Sequence, residues 1–401
     1  MSGASLHITE AGPALSGLAA QLADALLGLI ALCRADTRPD KIDLGVGVFR
    51  DDAGHTPVMR AVKSAEARLL ETQTSKSYMG AEGDAIYTAL LALVVLGDGA
   101  ADECLTGVQT PGGTGALRLG AELIARAHPE ARVWIGAPTW PNHAPIFAEA
   151  GLAARHHRFY DPVAARIDFD AMLDDLRAAQ AGDVLLLHGC CHNPTGASLT
   201  GEQWRVVADL CVRRGLIAFI DLAYQGLGDG LIDDAAAAKM VFAEVPTAIL
   251  AYSCDKNFGL YRERVGALWV RSANRAVTDL VRANMLSLAR SLWSMPPDHG
   301  AAVVRTILEN PSLHAEWEAE LFAMRERIHG LRRALADVHP RLRAIAEQRG
   351  MFAMLPLAPE AVAALRERNG IYMAGNGRIN IAGLKAETLA LFARALVPHL
   401  D

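Results

Sequence analysis

Trp204-Arg-Val-Val-Ala-Asp-Leu-Cys-Val-Arg-Arg214 runs into Ile217-Ala-Phe-Ile220 and then Asp221-Leu-Ala-Tyr-Gln-Gly226. The first segment has helical texture, the second is a short apolar strand, and the third is a polar strand end. The same alternation extends on both sides. Further candidate strands are Val133-Trp134-Ile135, Val184 to Leu187, Ile249 to Tyr252 and Ala267 to Val270. Each is short, with Gly, Pro, Asn or Asp nearby and helical stretches between several of them. That pattern predicts an α/β sheet covered by helices over about residues 105–270.

The texture changes after Pro311. Trp317, Leu321, Met324, Ile328, Leu331 and Leu335 step by four and three, which predicts one long amphipathic helix ending before Pro340. A short strand (Met351 to Leu355), a helix (Glu360 to Arg368) and a strand around Ile379 to Ile381 follow. They read as a smaller α/β unit. The expected division is an arm and first part of the small domain over 1–56, a large domain over 57–323 and the small domain over 324–401.

Composition narrows the function classes. The chain has 401 residues, 51% hydrophobic and 21% charged, so it is too apolar for a disordered chain. A formal net charge of -6 gives no electrostatic footprint for nucleic acid or an anionic membrane. No stretch reaches 18 apolar residues, so no membrane span is expected. Leu26 to Cys33 is read as an amphipathic helix, not a signal peptide. The 6 cysteines show no zinc spacing and no C-x-x-C, and adjacent Cys190 and Cys191 are not expected to bridge. A reducing compartment, by default the cytoplasm, is expected.

The chemistry begins with lysine. There are six: Lys41, Lys63, Lys76, Lys239, Lys256 and Lys385. Lys256 follows the strand Ile249 to Tyr252, and ligand sites of open α/β sheets lie beyond the carboxyl ends of strands. A lysine there can form a Schiff base with a carbonyl cofactor, although alone it would read as a surface loop residue. Its neighbours change that reading. Asp221 and Asn193 end two other strands, Trp140 follows Pro138 at another, and Gly112-Gly113-Thr114-Gly115 precedes a helix. A glycine-rich turn into a helix start binds phosphate through free N–H groups, and Arg264 can add charge. Lysine, carboxylate, hydrogen-bond donors, aromatic ring and phosphate site are the parts a pyridine-aldehyde phosphate cofactor needs.

These blocks resemble the class I, fold-type-I pyridoxal-phosphate aminotransferases, in the aspartate/aromatic branch. The similarity runs from about Leu22 to the C-terminus. It is carried by Lys41-Ile-Asp-Leu-Gly-Val-Gly-Val-Phe, Pro138-Thr-Trp-Pro-Asn-His, His188-Gly-Cys-Cys-His-Asn-Pro-Thr-Gly, Asp221-Leu-Ala-Tyr-Gln-Gly, Lys256-Asn-Phe-Gly-Leu-Tyr-Arg-Glu-Arg-Val-Gly and Gly377-Arg-Ile-Asn-Ile-Ala-Gly. Ordered blocks of this number are far more specific than one short motif.

The resemblance implies a large domain with a mostly parallel seven-stranded sheet, a small α/β domain and a homodimer. It implies pyridoxal 5'-phosphate as cofactor and ping-pong amino transfer between an L-amino acid and 2-oxoglutarate. Lys256 is then the Schiff-base lysine and proton carrier. Asp221, backed by His143, pairs with the pyridine nitrogen, while Asn193 and Tyr224 hold the phenolate oxygen and Trp140 stacks on the ring. Gly113, Thr114, Ser253 and Arg264 hold the phosphate, with Tyr78 reaching the phosphate of the neighbouring subunit. Arg378 clamps the substrate α-carboxylate, helped by Gly47 and Asn193.

Arg290, in Arg290-Ser-Leu-Trp-Ser-Met-Pro-Pro-Asp-His-Gly, corresponds to the arginine that binds a distal carboxylate across the dimer. Aromatic members keep it and swing it aside, and Leu292, Trp293 and Met295 suggest an apolar pocket. The expected activity is aromatic amino acid aminotransferase with dicarboxylate activity, ahead of aspartate aminotransferase. A β-lyase or decarboxylase of the same fold and a non-enzymatic interaction protein are less consistent with Arg290 and with the retained Lys256, Asp221, Arg264 and Arg378. One departure stands out. The family usually has Ser or Thr just before Lys256, and this chain has Asp255, expected either to weaken cofactor retention or to pair with Arg264.

Overall fold

The computed structural model describes Leu15, Leu18 and residues 25–400. The expected N-terminal arm before residue 25 otherwise lies outside the described residues. The apolar run Leu26 to Cys33 falls in helix α1 (Ala25–Ala35).

Seven strands build the central sheet: β1 (Leu105–Pro111), β2 (Arg132–Ala137), β3 (Ala153–Arg158), β4 (Val184–His188), β5 (Ile217–Leu222), β6 (Ala248–Ser253) and β7 (Val265–Arg271). Their order is β1-β7-β6-β5-β4-β2-β3. β7 is antiparallel to both its neighbours, β1 and β6, and the other neighbouring pairs are parallel. The carboxyl ends of β1, β2, β4, β5 and β6 therefore share one edge with the amino end of β7.

The strands are apolar because the sheet is covered on both faces. Along β4, Val184 and Leu186 join one hydrophobic cluster while Leu185 and Leu187 join the other. Period-2 alternation thus places every residue of the run in a core, and the sequence reads as continuously apolar. Helix α2 (Gly112–Ala127) leaves β1 directly and covers one face with Leu117, Ala121 and Ile124. Helix α3 (Gly201–Arg214) starts at a capping box, Thr200 with Gln203, and stops at Gly215 in the left-handed conformation.

Helix α4 (Arg275–Leu292) and a shorter helix, His299–Glu309, precede the long helix α5 (Pro311–Ala336). In α5, Leu313, Trp317, Leu321, Met324 and Ile328 belong to the sheet's core, whereas Leu331 and Leu335 belong to a separate cluster with Leu342, Ile379 and Phe392. One helix therefore spans both cores. Chain ends meet in the smaller unit: Ile42–Asp43 pairs in parallel with Ile371–Tyr372, and Phe352–Met354 pairs with Arg378–Asn380. That pairing sets Arg378 and Phe352 at the mouth of the sheet's functional edge.

Candidate active site

A cavity of about 270 Å³ opens at the strand-end edge, between the sheet and the smaller unit. Its lining includes Gly47, Gly113, Thr114, Trp140, Asn193, Asp221, Tyr224, Ser253, Lys256, Arg264 and Arg378. Eleven of the residues singled out from sequence thus meet around one space. His143 stands behind Asp221. Tyr78, 94% exposed in the segment before helix Ala85–Leu96, and Arg290, exposed near the end of α4, are not part of this lining. Nor are Leu292, Trp293 and Met295: Leu292 is exposed and Trp293 packs against the α2 side of the core.

Asp221 is the penultimate residue of β5, with His143 at the first turn of a helix beside it. His143 Nε2 is 2.9 Å from Asp221 Oδ2, and His143 Nδ1 is 2.8 Å from Thr139 Oγ1. A carboxylate only accepts, so Nε2–H donates to it, and the other ring nitrogen accepts the threonine hydroxyl. Burial pushes the Asp221 carboxyl up. The hydrogen bond donated by His143, with electrostatic support from its neighbours including Lys256, outweighs it, leaving the carboxyl below its ordinary value. His188, the last residue of β4, is pushed down to about 3, first by burial and then by His143. Sequence reading gave it no role, although a strand-end residue of β4 faces the same edge.

Lys256 follows β6, and its Nζ sits 5.4 Å from the Tyr224 ring centre. Burial lowers its pKa, opposed by Asp255 and Asp221, so a neutral, nucleophilic amine is more accessible than in free lysine. Tyr224 moves the opposite way, raised by burial and by Asp221, and keeps its proton at neutral pH. Asn193 Nδ2 lies 3.4 Å from the Tyr224 hydroxyl, so two donors converge on one spot.

The helix start forms an anion cup. Pro111 offers no side-chain cap to α2, whose first-turn residues Gly113 and Thr114 line the cavity, where the N–H groups of a helix start are free of intrahelical partners. Gly112 has φ +70, and a Cβ there would stand 2.5 Å from Arg264 Nη2. Only glycine allows both that turn and so close an approach of the guanidinium. Arg264 itself is left-handed, φ 54, a costly state for a side-chain-bearing residue. Its Nη1 donates to Asp255 Oδ2 at 2.5 Å. Of the two expectations for Asp255, the pairing with Arg264 is the observed arrangement.

Across the cavity, Arg378 Nη2 donates to the Gly45 carbonyl at 2.8 Å, and the guanidinium lies 4.8 Å from the Phe352 ring centre. Its Nε is buried without a partner among the described residues. A buried donor left unpaired costs free energy that an incoming acceptor recovers. Leu26, Leu117, Trp140 and Phe352 give the space apolar walls. Phe352 and Leu26 escaped sequence reading because they come from distant segments whose apolar character signals only packing.

Comparison with known proteins gives the family of the chain. The family model for class I and II aminotransferases matches residues 39–396. The chain belongs to that family. It is 52% identical to a tyrosine aminotransferase of Rhizobium meliloti over 380 residues, 94% of this chain and 97% of the relative. It is 43% identical to an aspartate aminotransferase of Escherichia coli over 387 residues, 94% of this chain and 98% of the relative. A crystal structure of an aromatic-amino-acid aminotransferase from Burkholderia pseudomallei, covalently bound to pyridoxal phosphate, superposes with a TM-score of 0.94. That match has 36% identity and covers 97% of this chain and 100% of that one. The fold is that of the fold-type-I aminotransferases, and this aminotransferase carries its cavity at the strand-end edge expected of an open α/β sheet.

Proposed function

We propose that this cavity transfers the amino group of aromatic L-amino acids, and of aspartate or glutamate, to 2-oxoglutarate and back. The supporting observation is the meeting, in one cavity, of a buried amine, an ionised carboxylate, an anion cup and an arginine with an unpaired donor. The residues present fit pyridoxal 5'-phosphate, the cofactor of this enzyme. When bound, it supplies a carbonyl to carry the amino group and a protonated pyridine ring to accept electrons.

Gly113 and Thr114, with Ser253 and Arg264, hold the phosphate. Asp221 keeps the pyridine nitrogen protonated, and the Thr139–His143 pair holds the carboxylate in place. Asn193 and Tyr224 would donate to the ring oxygen, and Trp140 would supply an apolar wall for the ring. Lys256 Nζ, buried and held near Tyr224, would be the amine that anchors the cofactor's carbonyl carbon and the base that takes the proton from the substrate α-carbon. Arg378, with Gly47 and Asn193 beside it, binds the α-carboxylate, a task that suits a planar guanidinium.

The apolar walls favour a ring. Burying a phenyl side chain is worth about 2 kcal/mol. Arg290 supports the second substrate class. It is exposed at the end of α4, its Nη1 donating to Ser294 Oγ, where it can turn to a distal carboxylate. We place Tyr78 and Arg290 at the cavity of a second copy, which makes the working unit a homodimer. Their exposure, together with exposed Leu70 and Leu280, favours that arrangement. All six cysteines are unbonded thiols, in keeping with a reducing cytoplasm.

A single-turnover half-reaction tests the substrate reading. The cofactor-loaded enzyme is mixed with phenylalanine and, separately, with aspartate, and the bound-cofactor absorbance is followed. Comparable rates, or faster phenylalanine, support the dual reading. Reaction with aspartate alone makes it an aspartate aminotransferase whose apolar walls only pack.

A further inference from the structure

Asp255 places a carboxylate inside an anion cup. It is 5% exposed and lines the cavity with Gly113, Thr114, Ser253 and Arg264. Its Oδ2 takes the Arg264 guanidinium at 2.5 Å, and Lys256 Nζ is 3.9 Å away. Its Oδ1 is buried and accepts no hydrogen bond among the described residues. The backbone N–H of Asp255 is spent on Ser253 Oγ, at 3.3 Å.

The surrounding groups leave that oxygen unserved. Arg264 and Lys256 are the neighbouring cations. The buried phenol of Tyr87, the buried thiol of Cys254 and the half-buried phenol of Tyr261 feel the Asp255 charge. Asp221 acts on Lys256 from across the cavity. A doubly charged phosphate in this cup would face the carboxylate with one guanidinium shared between them. Like charges this close disfavour joint ionisation, as in carboxylate pairs that share a proton.

Resting on the phosphate cup assigned above, we infer that the cofactor phosphate binds here as its monoanion, with one proton held between a phosphate oxygen and Asp255 Oδ1. The proton gives the orphan oxygen its donor and removes one of the three negative charges in the cup. A phosphomonoester loses its second proton near about pH 6. Above that pH, binding must take up a proton, so the complex holds one more proton than the free partners. The apparent dissociation constant then rises about tenfold per pH unit, and binding tightens as pH falls toward about 6. Lys256 must also lose a proton to react. That requirement is unchanged when Asp255 is replaced, so the comparison between variants isolates the cup.

The test compares the holoenzyme with Asp255→Ser and Asp255→Asn. Phosphorus NMR of the bound cofactor is recorded from pH 6 to 8.5, and pyridoxal phosphate affinity is measured over the same range. The expected result is a monoanion-like signal in the native enzyme at pH 7.5 and a dianion-like signal in both variants. Native affinity should fall about tenfold more per pH unit than that of Asp255→Ser. A dianion-like native signal, with the same pH slope as Asp255→Ser, overturns the inference and leaves the cofactor assignment standing. Failure of borohydride to fix cofactor on Lys256 in all three proteins overturns the assignment itself, and the inference with it.

Discussion

Asp221 and His143 form a carboxylate–imidazole pair at 2.9 Å, with both residues buried and the imidazole held from behind by Thr139 at 2.8 Å. The pair matters because burial pushes the carboxyl up while the His143 hydrogen bond pulls it down, and a neutral acid could not hold a proton on a pyridine nitrogen. Replacing Asp221 with Ala should lower the half-reaction rate about 10³-fold, the scale of a lost electrostatic stabiliser. His143→Ala should cost only about tenfold, equivalent to roughly one pKa unit of support. Stopped-flow half-reactions on both variants check the order. Equal losses would mean that His143 does more than hold the carboxylate.

Arg378 offers a fork with one donor used on Gly45 and Nε still unpaired. A lysine there retains the charge and loses the geometry. Arg378→Lys should reduce kcat/KM for every amino acid substrate by about 10- to 100-fold, or roughly 1.4–2.7 kcal/mol. The loss should be the same for phenylalanine and aspartate, because both present an α-carboxylate. A loss confined to one substrate would assign Arg378 to side-chain recognition.

Arg290 should show the opposite selectivity. Its guanidinium is exposed and bonded to Ser294, outside the cavity lining of its own chain. Arg290→Ala should lower the rate with aspartate and glutamate by about 10²-fold, the cost of losing a charge-assisted pair. Phenylalanine should lose less than threefold. Steady-state kinetics with both substrates decides the matter, and a uniform loss would return Arg290 to an ordinary helix surface.

The contrast between these two arginines shows what the sequence could reveal. The central strands were legible because parallel strands buried on both faces are apolar throughout, as with β4 and β6. Edge strand β3, Ala-Ala-Arg-His-His-Arg, is not legible because four of its six residues are exposed and its composition is that of a loop. β1 went unread because Gly107, Thr106 and Gln109 interrupt its apolar character. Lys256, Asp221 and Asn193 were legible as strand-end residues of one sheet, which topology must bring to one edge. Their division of labour came from the family resemblance. Phe352 and Leu26 depended on tertiary packing between distant segments, which no local pattern encodes. Asp255 stood out as an oddity, and only the fold supplied its partner.

Asp183 provides a stability prediction with a pH signature. It precedes β4, is 4% exposed, and accepts from Arg132 Nη2 at 2.7 Å, Trp134 Nε1 at 2.9 Å and the Gln180 N–H at 2.9 Å. Burial pushes its carboxyl up, but Arg132 and the other donors bring it below the ordinary value. The folded pKa is therefore lower than the unfolded one. The stabilisation is complete above the unfolded value and fades as pH falls through the folded value. Asp183→Asn should cost about 2–4 kcal/mol at pH 7 in urea unfolding, with the difference shrinking below about pH 4. A difference that stays constant with pH would show that only shape is at stake.

Arg332 links the smaller unit's stability to the cavity. It is 1% exposed on α5 and donates five hydrogen bonds to the carbonyls of Ile345, Arg349, Gly350 and Phe352. Burial pulls its pKa down to about 9, so the charge is held at a cost that these bonds offset. Phe352 lines the cavity beside the Arg378 guanidinium, so the loop that Arg332 ties down also sets one wall of the substrate space. Arg332→Met removes the charge but leaves four carbonyls without this donor, and should destabilise the fold by about 2–4 kcal/mol. The surviving folded enzyme should show a raised KM for phenylalanine with less change in kcat, since the wall contributes to binding and the amine chemistry lies elsewhere. Paired urea unfolding and steady-state kinetics measure both effects. A stability loss with an unchanged KM would mean that Phe352 is positioned by its strand pairing with Asn380 alone.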